Sequence, residues 1–525
     1  MSFLGSWFGA SGGSEKRRRQ AEHPANIPGL LKFRVLDDKV APKTVVELSM
    51  MRLSANIRET ADWEKLMHDP SILSKWRKVA LKLSLPTNAF DYTLDELRWH
   101  VSQCRSSKEP STVDGCWLSR SSVDETLRRE LVECVTLLET DDNSLTDWRP
   151  GSDSQIRDLV DPSLHCLVSG VSRQVLSPLL SLDNCLASLG AGTPIVLSQD
   201  KLFSIGWRRA RTGRTRNNGS PYSSDHQWIP SEFKVAADGS VSIGSYINNL
   251  HPIKHARLYS AIARVFEMFV PLFDRVLMDL LNPEPNRVQH PSKYIKRDPA
   301  KPKPLQWNAR GKQLQVIVKL ANIVLTPDNP RFKGGSWHSE GLANERIVAS
   351  GIYYYSCDNI TETRLSFRQA VTPPPEQERR AYGFDFGDEL IQEVGNVLIH
   401  QNLLLCFPNA LEHRVEPFEV LDKSRPGHRN TLVFFLIDPT LPIISSASVP
   451  PQQSSWYAEE IVRLNALPGL PRELVHHIVG LAGWPMSVST AKMHRDEMRE
   501  ERRSMGPSTE TYHRFEEARH SMRLD

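Results

Sequence analysis

Between two runs of β-branched and aromatic residues, a glycine-rich loop, GGSWHSEG, carries His338 and Glu340 two positions apart. In an extended segment, residues i and i+2 project to the same side, so an imidazole and a carboxylate can approach one metal ion together. His413, in CFPNALEHRV just ahead of the next predicted strand, is placed to supply a third ligand. Two histidines and one carboxylate on one face of an octahedral ion leave positions open for a chelating co-substrate and O2. That is the facial arrangement of non-haem Fe(II) oxygenases. Sixteen residues beyond His413, Arg429 and Thr431 open the run RNTLVFFLI. A guanidinium there can hold the far carboxylate of a diacid bidentately, and a hydroxyl two residues on adds a hydrogen bond from the same strand face. The iron would then be chelated through a 2-oxo acid group at the other end of the diacid.

The H-x-[DE] pair alone is weak evidence. With 17 histidines and 62 acidic residues in 525, about two such pairs arise by chance, and the chain holds two. The other, His494 and Asp496, lies in charge-dense AKMHRDEMREERR and reads as a solvated helix face. Arg429 by itself reads as a surface arginine of an edge strand. The four elements in order, on strands, are what favour a site. Trp337 and Asn344 flank the metal loop and could face substrate, though Trp337 reads equally well as a packed loop anchor. Of Tyr353, Tyr354 and Tyr355, either the middle ring or the outer two face the interior. An inward tyrosine, or Lys319, could bind the co-substrate carboxylate, but core packing or solvent exposure is the plainer role of each. His428 points away from the face of Arg429 and is not counted as a ligand, and His476 and His477 show no partner spacing.

The elements that must position these residues follow from periodicity. Apolar residues three or four apart predict helices over 45–56, 62–69, 72–85, 93–103 and 127–138. A longer helix is predicted over 253–281, with Leu258, Ile262, Phe266, Phe269, Phe273, Val276 and Leu280 on one stripe and a kink at Pro271. The stripe reads as core packing against a sheet. Strands are predicted at 314–326, 346–356, 365–370, 396–407, 414–421 and 429–437, separated by turn clusters such as TPDNPRFKGG and DKSRPGH. Strands in such succession without intervening helices argue an antiparallel barrel or jelly roll. After a proline- and serine-rich linker, helices are predicted at 456–465, 472–481 and 489–505. The expected class is α+β: a double-stranded β-helix at 251–440 with its preceding long helix, a flexible tail at 1–24, a mainly helical region at 25–250, and a linker with helical extension at 441–525.

Composition narrows the function. The chain has 525 residues, 39% hydrophobic and 24% charged, enough for a sizeable core and far from disordered compositions. Lys and Arg total 65 against 62 Asp and Glu, so no global field drives it onto nucleic acid or an anionic membrane. The seven cysteines are an odd number without a C-x-x-C pair, which excludes a disulfide framework or zinc ribbon. No stretch reaches about 18 uninterrupted apolar residues, and the basic cluster Lys16–Arg19 follows rather than precedes the short apolar start. The expectation is a reduced, soluble, cytoplasmic or nuclear protein, in which the sequons at Asn218 and Asn359 go unused. The G-x-S-x-G match at Gly9–Gly13 lies in the tail without a flanking strand, so a serine hydrolase is rejected, and no P-loop or dinucleotide fingerprint is present.

The order H-x-[DE]…H…R-x-[ST] on this strand pattern resembles the Fe(II)/2-oxoglutarate-dependent oxygenase superfamily, with Glu340 where most members carry aspartate. A closer resemblance, spanning roughly 25–505, is to a large fungal family known only as a domain of unknown function. It is carried by DWRPGSDSQIRDLVDPSLHCLV (147–168), QWIPSEF (227–233), SYINNLHP (245–252), LQVIVKLANIVLTP (314–327), GGSWHSEG (334–341) and NITETRLSFRQ (359–369). The superfamily resemblance implies hydroxylation or a related oxidation with Fe(II) and 2-oxoglutarate. His338, Glu340 and His413 would be the metal ligands, and Arg429 and Thr431 the co-substrate contacts. A cupin-type metalloenzyme without 2-oxoglutarate and a non-catalytic scaffold are the competing readings. A small metabolite, such as one of secondary metabolism, and a protein side chain both stand as substrate classes.

Overall fold

The structure is a computed structural model describing residues 40–103, 109–120, 123–140, 147–197, 222–283, 285–290, 293–294 and 307–504. The basic cluster Lys16–Arg19, the Gly9–Gly13 match, Cys104 and Asn218 lie outside the described residues.

The first helices form a small layer of their own. Helix α1 (Val45–Arg58) starts at Thr44, whose side chain accepts the Glu47 N–H. Helix α2 (Pro70–Lys82) is capped by Asp69 with proline in its first turn, which loses no hydrogen bond there. Helix α3 (Thr87–Gln103) completes the layer, and Met50, Leu53, Ile57, Trp76, Phe90 and Leu97 fill its core. Strand β1 (Trp117–Ser119) and helix α4 (Glu125–Thr140) follow.

The described parts of the next stretch, 147–197 and 222–243, assigned from sequence to a mainly helical region, are instead short strands and irregular chain. They supply β2 (Ile156–Val160), β3 (Ser231–Val235) and β4 (Val241–Ile243). Their apolar residues come in short clusters broken by Pro, Gly and Asn, which cannot sustain a helical stripe. Helix α5 (Ala256–Leu281) runs through Pro271. Then come β5 (Gln313–Leu325), β6 (Ile347–Asp358), β7 (Thr363–Ala370), β8 (Ile391–Ile399), β9 (Leu403–Pro408), β10 (Glu412–Val415) and β11 (Gly427–Ile437). The single strand expected at 396–407 is two strands of two different sheets. Asn402, at φ 67°, turns the chain between them, and its N–H donates to the Tyr354 carbonyl. Buried apolar runs on both sides of so short a turn read as one strand.

All pairings in the main sheet are antiparallel, in the order β1-β9-β6-β11-β5, and β5 pairs along its far edge with β3 and β2 in succession. A second sheet runs β8-β7-β10. The alternation of the long central strands sorts most of their side chains onto two faces. Val316, Val318 and Leu320 with Tyr353, Tyr355, Leu432, Phe434 and Leu436 meet Phe266, Phe269 and Phe273 of α5. Their neighbours Ile317, Ile352, Tyr354, Val433, Phe435 and Ile437 face Leu365, Phe367, Val394 and Val397 of the second sheet. Gly351 lets α5 come this close: a Cβ there would lie 2.8 Å from the Phe269 ring and 3.0 Å from that of Phe273. Each such buried ring stabilises the fold by about 1.5–3 kcal/mol.

Helices α6 (Ser454–Arg463) and α7 (Arg472–Leu481) pack on each other through Ala458, Val475 and Val479. Helix α8 (Val488–Ser504) returns to the body. No helix among the described residues is long and apolar enough to cross a membrane.

Candidate metal centre

The metal loop is held by main-chain pairing to β10 of the second sheet and to the segment just after it. Phe332 pairs with Phe418, the Gly335 N–H donates to the Val415 carbonyl at 2.9 Å, and His338 pairs with His413. The last two exchange both main-chain bonds, at 3.2 and 2.9 Å. Residues so paired present their side chains on the same face, and the two imidazole centroids lie 4.4 Å apart. Glu340, two residues on, sets Oε1 at 3.7 Å from Nε2 of His338 and 3.6 Å from Nε2 of His413. His338, Glu340 and His413, separated in sequence by up to 75 positions, are thereby brought together.

These separations fit a shared ion. They are long for hydrogen bonds, and cis donors bound at about 2.1 Å to one octahedral ion lie about 3.0 Å apart, so seating it would draw the atoms together by roughly 0.6–0.7 Å. Nδ1 of His338 lies 2.8 Å from the Ser336 carbonyl; donating there leaves the Nε2 lone pair facing Glu340. Burial works against the charge of Glu340, but the two imidazoles hold its carboxyl well below the usual range. The main chain of Glu340 is clamped by Asn409, whose Oδ1 accepts the Glu340 N–H at 2.9 Å while Nδ2 donates to its carbonyl at 2.8 Å. Beneath the loop, the buried Glu345 accepts from the N–H groups of Leu342 and Trp228 at 2.6 and 2.7 Å and from Arg502 at 2.9 Å. Sequence reasoning missed Asn409 and Glu345; an asparagine in the turn CFPNALEH is the one signal that could have raised the first.

Arg429 is 4% exposed, on the inner face shared with Val433 and Phe435. Its Nη1 donates to Thr363 Oγ1 at 3.1 Å, and the rings of Tyr354 and Phe418 lie 5.6 and 5.2 Å from the guanidinium. Burial pulls its pKa down. It has no carboxylate partner among the described residues, and its Nε has no hydrogen-bond partner there. The edge-strand surface reading of this arginine is therefore overturned. Thr431 shares its face, but the Thr431 hydroxyl donates to the Ala321 carbonyl at 2.8 Å. The hydroxyl that meets the guanidinium is that of Thr363, which sequence reasoning missed.

Tyr354 is the inward tyrosine of the three. Tyr353 and Tyr355 lie on the α5 side and donate to Asn402 and Asn322 at 2.8 and 3.1 Å. Lys319 shares the inner face of β5 with Ile317, close enough to Glu340 and Asp158 to feel both charges. Burial, then Arg149, lowers its pKa. Trp337 is an anchor: its ring lies 4.8 Å from the Arg368 guanidinium and 4.5 Å from that of Arg414. Asn344 is buried, accepting from the Ser223 N–H and donating to the His226 carbonyl, and so serves the loop rather than a substrate. His428 meets Ser356 Oγ at 2.8 Å.

The chain belongs to the family described as a protein of unknown function, DUF4246, which matches residues 87–460; residues 22–79 match that family's N-terminal domain of unknown function. No curated protein matches the chain. Among solved structures, it is similar to TqaL, titled a selenomethionine-labelled Fe(II)/(alpha)ketoglutarate-dependent dioxygenase. That match has 11% identity, covers 60% of this chain and 90% of the other, and has a TM-score of 0.24. IDO from Bacillus thuringiensis matches at 11% identity over 40% of this chain and 72% of its own, with a TM-score of 0.22.

Proposed function

We propose that this DUF4246 protein is a non-haem Fe(II)- and 2-oxoglutarate-dependent oxygenase on a double-stranded β-helix, carrying out hydroxylation or a related oxidation. The observation that carries the reading is the convergence of His338, Glu340 and His413 on one point through main-chain pairing. The two facing sheets, β5-β11-β6-β9 and the metal-loop segment with β10, β7 and β8, support the jelly-roll description of the core at 251–440. In this reading Nε2 of His338, the Glu340 carboxylate and Nε2 of His413 hold Fe(II). Three ligands on one side leave room for the 2-oxo acid group and O2. Iron so held would supply the oxidising power with 2-oxoglutarate and O2, one oxygen atom going into succinate as CO2 is lost and the other to the substrate.

The chain's own part is binding and orientation. Arg429, buried without a counter-charge, is suited to receive the far carboxylate, with Thr363 holding the guanidinium in place. Its charge separates this reading from a cupin-type metalloenzyme that takes no 2-oxo acid, since a buried cation left unpaired is costly. Along β7, Thr363 and Phe367, the register partner of His413, are four residues apart. That is about 13 Å of strand, room for a five-carbon diacid between arginine and metal. The rings of Tyr354 and Phe418 exclude water from the arginine end. Lys319 adds positive charge beside the ligands, where the 2-oxo acid carboxylate would lie.

Anaerobic Fe(II) titration with and without 2-oxoglutarate tests this through the visible metal-to-ligand charge-transfer band. The expected band needs both components, is lost in His338→Ala and is weakened in Arg429→Ala. Iron binding without the band would favour the cupin-type enzyme, and no specific iron binding by folded protein would leave the scaffold.

A further inference from the structure

We propose that the chain carries a second metal site, for zinc, formed by His226, His494 and Glu497, which fastens α8 to the body of the protein. His226 sits in the short strand His226–Gln227 and is buried. His494 and Glu497 are three residues apart on α8 and therefore share a helix face. Ligand atoms of the three all lie within 4.8 Å of one another. Nδ1 of His494 is 2.8 Å from Oε2 of Glu497, and Nε2 of His226 is 3.7 Å from that same oxygen. Tetrahedral zinc, with bonds of about 2.0–2.1 Å, holds neighbouring ligand atoms about 3.3 Å apart. One separation opens and the other closes by about half an ångström or less to seat it.

A second observation points to a metal independently. His226 turns its other nitrogen, Nδ1, to Oε2 of Glu501 at 3.1 Å, and the Ser223 hydroxyl donates to that same oxygen at 2.9 Å. A carboxylate behind an imidazole keeps the proton on Nδ1 and aims the Nε2 lone pair forward, as behind metal-ligating histidines generally. Glu501 stands one turn beyond Glu497, so a single helix face supplies two ligands and the support of the third. Two imidazoles and a carboxylate, with Glu497 half exposed to admit a water as fourth ligand, form a donor set suited to zinc. The solvated-face reading of this helix holds for Asp496, 61% exposed, but not for His494, whose side chain is 13% exposed.

The site would secure a helix that reaches the oxygenase-like centre. Beyond the cluster, Arg499 pairs with Asp161 at 3.0 Å and Arg502 with Glu345, the carboxylate under the metal loop, at 2.9 Å. The test uses the full chain with His338→Ala and His413→Ala, so that the first centre is gone whatever its metal. Zn(II) is titrated in competition with a chromophoric chelator, and Co(II) is used as a spectroscopic stand-in. The expected result is one zinc per chain in this background, with the intense visible bands of tetrahedral Co(II), and loss of both on adding His494→Ala. Glu497→Gln, a near-isosteric change on the solvent side, repeats the test without removing a packed ring and should weaken zinc at least tenfold. Absence of zinc binding by the background protein, or equal binding with and without Glu497→Gln, would overturn the proposal.

Discussion

The described residues hold two clusters of two histidines and a carboxylate, built by different means. At His338, Glu340 and His413, the main chain does the positioning: paired strands place the Cα atoms, and Asn409 clamps the loop. At His226, His494 and Glu497, the positioning rests on how α8 docks, and that docking is held by side chains: Arg495 to Asp147, Arg499 to Asp161 and Arg502 to Glu345. Main-chain pairing is lost only when the sheets come apart. These side-chain ion pairs are largely buried, and losing one partner leaves a buried charge unpaired, yet each rests on the end of one flexible side chain and can open without the others. Equal donor sets therefore differ in rigidity, and the strand-built one is the better support for chemistry that tolerates little misplacement.

The sharpest way to separate the two is His338→Ala. 2-Oxoglutarate-dependent succinate formation should fall by more than the about 10–100-fold that loss of an orienting group causes. Thermal stability should barely move, because the side chain is 46% exposed. Next, Arg429→Ala should raise the KM for 2-oxoglutarate about 10–100-fold, the worth of a charge-assisted hydrogen bond of about 1.5–3 kcal/mol. Its binding of Fe(II) alone should be unchanged, as isothermal titration would show.

Asn409→Ala tests the clamp. Leaving the main-chain groups of Glu340 without their partner should cost about 1–3 kcal/mol in denaturant unfolding and weaken iron at the first centre while sparing zinc at the second. Gly351→Ala, which drives a methyl into the Phe269 and Phe273 rings, should cost about 1–3 kcal/mol of stability and leave the metal affinity of both clusters as it was. The last effect is one of pH and vanishes near neutrality. Burial depresses the pKa of His165 to about 4, so the folded state keeps it neutral while the unfolded chain takes up a proton below about 6.5. Its contribution to stability is complete above pH 6.5 and declines as the pH falls towards 4; His165→Gln should flatten that part of the stability profile.

Much of the strand-built centre was legible in the chain. Alternating apolar runs marked the long strands 313–325, 347–358 and 427–437 to within two residues, and the stripe through Phe266, Phe269 and Phe273 marked the helix that covers them. The i, i+2 spacing of His338 and Glu340 placed both on one side. Other parts were hidden for physical reasons. The turn at Asn402 is too short to interrupt a hydrophobic run, and strands β2 and β3 are too short to show a period. Thr363 and Thr431 are equivalent as residue types, and only the packing decides which hydroxyl faces the arginine. His494 looked solvated because its local neighbours are charged, while its partner His226 lies more than 260 positions away.

By itself the sequence determined the donor types, the strands that carry them and the apolar faces that bring the sheets together, because period and composition act over a few residues. Only the tertiary structure decided that His338 meets His413, that Arg429 is buried without a counter-charge, and that one face of α8 reaches His226. Those outcomes depend on strand register and helix docking, which are set by the packing of segments far apart in the chain and leave no mark on the local pattern.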